Sequence, residues 1–275
     1  MKQIDINNSF LQNTLFLNDK YKFSLIGHNF GIDETTIYSD EESYIFVIGK
    51  DHKPIWLWLV DDISKEKILE IKNCIDFFCE RGLISFACKQ SLYTKLSNIS
   101  TSLQAEELSG CYICHLPIKP KKCVGHLEKF KEDDKTIITQ MWYDDCVEAN
   151  PENHISYELA EKFAERFLES GTFFVWRDNN GKIVAMVDYT IVDGYAEVAH
   201  AYTIPEERGK GYMANSVYEL TKMIIENGLI PVLSTDYNYY ASNKCYQNVG
   251  YELEDKVVVF INGLVLEKES DKRKL

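Results

Sequence analysis

The chain has 275 residues but only 6 prolines and 14 glycines, and short polar breaks punctuate it without any low-complexity linker. Nowhere do ~18 consecutive apolar residues occur, the length a helix needs to cross a bilayer, and no membrane association is expected. The opening Met1-Lys2-Gln3-Ile4-Asp5-Ile6 lacks the apolar run of a secretory signal, and a cytoplasmic protein is expected. Positive charge is also scarce. Thirty Lys and Arg against 43 Asp and Glu leave a net charge of −13. Such a surface repels phosphate backbones and no basic patch stands out, so nucleic acid is not an expected partner. An acidic surface could steer cationic amines, although solubility alone is the simpler account of it.

What is present is ordinary for a globular protein: 45% hydrophobic and 27% charged residues, enough for one large or two modest domains. The eight cysteines (74, 79, 88, 111, 114, 123, 146 and 245) read as reduced, mostly buried thiols in a chain with no export signal. Cys111-Tyr112-Ile113-Cys114-His115 has the C-x-x-C-H spacing of c-type haem attachment. It lies in an expected strand, however, where residues three apart face opposite sides. Cys123 and His126 would extend it to a zinc set of irregular spacing. No metal is expected.

Residues 44–49 and 54–60 are β-branched and aromatic, and predict strands. Trp56 and Trp58 alternate there with leucines, as core packing requires. Lys65–Arg81 carries Ile68, Ile71, Ile75 and Phe78 on one stripe and predicts an amphipathic helix stopped by Gly82, with a strand over 83–88. A polar stretch near Ser97–Ser109 then separates an N-terminal α/β region, 1–109, from a second domain, 110–275. In the latter, Cys111–Leu116 predicts a strand. Asp133–Ala149 and Ser156–Ser170 predict helices, the second capped by Ser156 and stopped by Gly171. Thr172–Trp176 and Lys182–Val192 flank Asn179-Asn180-Gly181, a hairpin turn. A strand over 196–204, a helix over 210–227, a strand over 231–236, a short helix over 241–248 and a strand over 257–266 complete a mixed α/β domain. The helix stop Glu80-Arg81-Gly82-Leu83-Ile84 is echoed by Glu226-Asn227-Gly228-Leu229-Ile230. Chance and helix-stop chemistry explain five residues as well as duplication does.

Arg208-Gly209-Lys210-Gly211-Tyr212-Met213 lies between a strand and a helix. Backbone N–H groups at a helix start lack intrahelical partners and sit at the positive end of the helix dipole. Glycines let a phosphate oxygen come close to them. With the preceding strand and Pro205, the segment resembles the acetyl-CoA-binding motif of the GNAT superfamily of N-acetyltransferases, Q/R-x-x-G-x-G/A. Arg208 and Gly211 match, and Met213 stands where Gly or Ala is usual. The segment Ser242 to Tyr251 resembles the family's S-x-x-x-Y-x-x-x-G-F/Y through Ser242, Tyr246, Gly250 and Tyr251.

The resemblance covers about residues 110–267. It implies a GNAT fold in the C-terminal half; some bacterial relatives carry a degenerate second copy, which the Gly82/Gly228 echo would fit. It further implies an acetyl-CoA-dependent N-acetyltransferase acting on a primary amine by direct transfer in a ternary complex. In that arrangement two strands splay apart, and pantetheine bonds backbone at Ala201, Tyr202 and Thr203. Pyrophosphate rests on amides of Arg208, Gly209, Lys210, Gly211, Tyr212 and Met213, with Ser242 and the displaced Asn238 as further cofactor contacts. Tyr246 matches the tyrosine that the family places near the sulfur, as acid for the departing thiolate. An amine of pKa ~10.4 needs a base at neutral pH. Glu197 and His200 are the candidates, on opposite faces by strand alternation, and Asp236 is a weaker one. A non-catalytic acyl-CoA sensor or interaction protein is the alternative.

Overall fold

The computed structural model describes residues 1–23, 35–49, 54–121 and 123–263. The chain divides into two compact units. Unit 1 comprises Met1–Cys111, Thr235–Asn238 and the residues from Glu254 on, and unit 2 comprises Tyr112–Ser234 and Tyr239–Leu253. The mixed α/β architecture expected from the sequence is the one found.

In unit 1, strands β1 (Lys2–Ile4), β2 (Thr36–Ser39), β3 (Tyr44–Ile48) and β4 (Ile55–Leu59) pair antiparallel in that order, with helix α1 (Thr14–Asp19) between β1 and β2 in sequence. Helix α2 (Lys65–Cys79) then brings β5 (Ser85–Lys89) back parallel to β4, as a helical crossover does. Ser64 caps α2 by accepting from the Lys67 N–H, and Ile68, Ile71, Ile75 and Phe78 are buried on one stripe. Helix α3 (Gln90–Ser97) and strand β6 (Leu103–Ile113) follow. The far edge of β5 pairs antiparallel with residues 257–261 of β12 (Glu252–Asn262). Strands β3 and β4 are buried on both faces. Tyr44, Phe46 and Leu57 pack against α2, while Ile45, Val47, Trp56 and Trp58 pack with Leu11 and Phe16.

In unit 2, β7 (His126–Lys129), β8 (Phe173–Arg177), β9 (Ile183–Val192) and β10 (Tyr195–Thr203) pair antiparallel in order, and β11 (Ile230–Asp236) runs parallel to β10. Helices α4 (Lys135–Ala149) and α5 (Tyr157–Ser170) cover one face through Ile138, Met141, Ala164 and Phe167, which meet Phe173, Val175 and Met186. Helices α6 (Tyr212–Glu226) and α7 (Tyr240–Val249) cover the other through Val217, Leu220, Ile224 and Val249, which meet Phe174, Val187, Ala196 and Val198. The alternation of neighbours between the two clusters is the period of a strand.

Several elements differ from expectation. Residues from Leu103 belong to β6, whose first half (Gln104 to Glu107) is exposed and so reads as a linker. The short β1, β2 and β7, and helices α1 and α3, were not expected. Strand β12 begins at Glu252 rather than Val257, and residues 264–266 of its expected span lie outside the described residues. Cys111 packs in the core of unit 1 and Cys114 in that of unit 2. The two halves of the sequence also run through the same order of elements, β2-β3-β4-α2-β5-α3-β6 and β8-β9-β10-α6-β11-α7-β12, although most of β12 belongs to unit 1. Their crossover helices end alike: Gly82 has φ +81° and Gly228 φ +75°, and the next residue's N–H reaches back to Phe78 O and Ile224 O at 3.1 Å in each.

Candidate acyl-transfer site

Strands β10 and β11 pair at only three positions, Tyr195↔Ile230, Ala196↔Pro231 and Glu197↔Val232, although they run on to Thr203 and Asp236. Beyond Glu197 they part. Between Ala199 and Tyr202, β10 also carries one residue more than β9 opposite it, a bulge in which His200 holds φ +47°. A cavity of about 580 Å³ opens here, lined by Ala201, Tyr202 and Thr203 at the end of β10. Its walls continue through Arg208, Gly209, Gly211, Tyr212, Met213 and Ala214 to Tyr239, Ser242, Cys245 and Tyr246, with Asp145 and Glu148 of α4 on another side.

The start of α6 carries no side-chain cap. Gly211 is its N-cap with φ +86°, so its first amides keep no side-chain acceptor. Gly209 has φ +76°. Asn215 fastens this loop by donating to Gly211 O at 2.9 Å and Lys121 O at 3.0 Å. Arg208 is committed elsewhere: its Nε donates to Thr203 O, and its guanidinium grips Glu148 in a fork at 2.9 and 2.6 Å. Lys210 lies outside the cavity lining and donates to Glu207. The loop thus offers main-chain donors rather than free side-chain cations.

Tyr246 is buried on α7, edge-on to Tyr251, and its hydroxyl has no protein partner among the described residues. Burial, reinforced by Cys245 and Asp145, raises its pKa, so it holds its proton through neutral pH. Asp145 is the site residue that the sequence reading missed. It continues the stripe Ile138, Met141 and Trp142 at the i+7 position of α4, and an acid on an apolar stripe is the signal that was available. Burial pushes its carboxyl up to about 6, with Glu148 adding to the effect and His200 and Arg208 opposing it.

Glu197 and His200 do not line the cavity. The bulge also cancels the alternation expected of them. Ala196 and Val198 pack toward α6, which turns Glu197 the other way, and the His200 ring meets Trp142 at 4.7 Å and Phe167 at 5.1 Å on that same α4–α5 face. His200 Nδ1 lies 2.9 Å from Asp188 Oδ1. Burial disfavours the imidazolium, but Asp188, with Asp145 and Glu197 behind it, raises the pKa above its ordinary value. Asn238 is exposed, and its N–H is turned to Asp236; Tyr239 lines the cavity in its place. Asp236 is likewise absent from the lining.

A parallel strand pair that splits and leads into a glycine-started helix without a side-chain cap is thus the core of this site. Residues 139–251 match the acetyltransferase (GNAT) family model, and the chain carries a GNAT acetyltransferase domain there. Similar solved structures agree on the fold. A GNAT-family acetyltransferase from Colwellia psychrerythraea superposes with TM-score 0.63 at 16% identity, over 95% of this chain and 100% of that one. A GCN5-related N-acetyltransferase from Sphaerobacter thermophilus gives 0.60 at 12%, over 86% and 84%. One from Kribbella flavida gives 0.50 at 15%, over 80% and 86%. Among curated proteins, none matches the sequence.

Proposed function

We propose that this protein is an acetyl-CoA-dependent N-acetyltransferase that moves an acetyl group to a primary amine by direct transfer in a ternary complex. The observation that carries the reading is the shared cavity. The parted end of β10, the uncapped start of α6 and the unpartnered Tyr246 hydroxyl all line it. Backbone of Ala201, Tyr202 and Thr203 would take the pantetheine amides, and the amides from Arg208 to Met213 the pyrophosphate. Ser242 borders the same space. Tyr246 then supplies a proton to the leaving sulfur, a role its raised pKa suits. His200 and Glu197 act on the cavity through charge rather than contact.

We further read residues 1–109 as a degenerate copy of the fold and 110–275 as the working domain. The loop between β4 and α2 is Val60-Asp61-Asp62-Ile63-Ser64, with two acids and a side-chain cap where α6 has glycines and free amides. That start repels an anion. All eight cysteines are thiols rather than disulfides, which suits a reducing, cytoplasmic setting. Calorimetric titration of acetyl-CoA into the protein tests the proposal. Binding in the micromolar range that Gly211→Glu removes, in a variant whose unfolding remains cooperative, is the expected result. No binding by the unsubstituted protein would refute it.

A further inference from the structure

Resting on the acetyltransferase reading, we infer that Asp145 is a catalytic residue of this enzyme: it receives the acceptor as a cationic primary amine and takes the proton that makes the nitrogen nucleophilic. The argument begins from what surrounds the carboxylate. Asp145 lines the cavity with Tyr246 yet has no hydrogen bond or ion pair among the described residues. Among the described residues, the cations around the cavity are already engaged. Arg208 is held in the fork with Glu148, the His200 ring is held by Asp188, and Lys244 lies over the Tyr240 ring. Asp145 is half-buried, and a carboxylate so placed without a counter-ion costs free energy that an arriving charge offsets. A substrate ammonium is such a charge, and Tyr202 and Tyr239, which also line the cavity, suit its alkyl part.

The chemistry balances without another reagent. The ammonium proton passes to the Asp145 carboxylate. The freed nitrogen lone pair forms the C–N bond at the thioester carbonyl carbon, and the C–S bond breaks with its electron pair left on sulfur. Sulfur takes the Tyr246 proton, the surplus proton on the new amide nitrogen returns to the Tyr246 oxygen, and Asp145 releases its own to water.

Asp145 is coupled to other groups: His200 from β10, Glu148 from its own helix and Arg208 from the loop act on it, and it in turn raises Tyr202, Cys146 and Tyr246 of α7. The pH profile must therefore be read by difference. Thiol release from acetyl-CoA is followed between pH 5 and 9, with butylamine, 1,4-diaminobutane and lysine amide as probes. The unsubstituted protein, Asp145→Asn and Asp145→Glu are compared. In the unsubstituted protein kcat/KM rises with pH through about 6, as the carboxylate ionises. Asp145→Asn loses at least about 100-fold, with acetyl-CoA affinity unchanged by calorimetry, and its residual rate climbs toward the ~10.4 pKa of the amine itself. Asp145→Glu recovers part of the rate. An Asp145→Asn variant within threefold of the unsubstituted rate, or with the same limb near 6, would overturn the assignment. So would acetyl-CoA binding with no turnover of any of the three probes. Failure to bind acetyl-CoA would instead overturn the acetyltransferase reading beneath it.

Discussion

At Asp145 the fold holds a carboxyl where a methyl group would cost less. Each pKa unit is worth about 1.4 kcal/mol, so displacement from 3.8 to about 6 amounts to roughly 3 kcal/mol. The sign follows from the raised value. The protonated form carries the full stability below pH ~4, and it is lost as pH rises through about 6. Asp145→Asn should therefore melt higher than the unsubstituted protein at pH 8, and the gain should vanish at pH 4, as thermal unfolding at the two pH values will show. Tyr246→Phe should behave differently, lowering turnover by about tenfold or more while leaving acetyl-CoA affinity within twofold. Full activity would remove the hydroxyl from the reaction. Legibility at this scale was uneven. The glycines at 209 and 211 and Tyr246 are visible because their spacing is local. Asp145 is hidden because an acid in a helix ordinarily faces water, and only packing shows that this one faces a cavity.

Among the elements, the glycines that end helices fall into two kinds. Gly82 and Gly228 have positive φ but open space where a Cβ would stand, so alanine there should cost only about 1 kcal/mol. Gly250 has φ +100°, and an added Cβ would lie 2.6 Å from Leu116 O and 3.1 Å from Ile118 N. Gly250→Ala should therefore destabilise by clearly more than Gly228→Ala in denaturant titrations, and equal losses would remove the backbone contact from the account. Long elements with one apolar stripe, such as α2 and α5, were readable from periodicity. Strand β6 was not, since its first half shows water a run of polar side chains. The bulge at His200 was hidden as well, because one extra residue leaves no mark on composition yet moves a side chain to the other face.

For the whole molecule, a charge of −13 should draw a cationic acceptor toward the cavity. Raising salt from roughly 20 to 300 mM should lower kcat/KM for 1,4-diaminobutane more than for butylamine, with kcat little changed, since screening acts on approach. Composition and motif spacing made the fold class legible, but not the make-up of unit 1. Nothing local in residues 257–261 says that they pair with 85–89, and such long-range pairings leave no period to read. That pairing has a consequence for synthesis. A ribosome releases β5 long before it makes the strand that covers the far edge of β5, so the nascent chain presents open backbone donors and acceptors in the meantime. The first-made unit can be finished only by residues made after Leu253, and a chain released early there would be recognisable to a protease or chaperone by that bare strand.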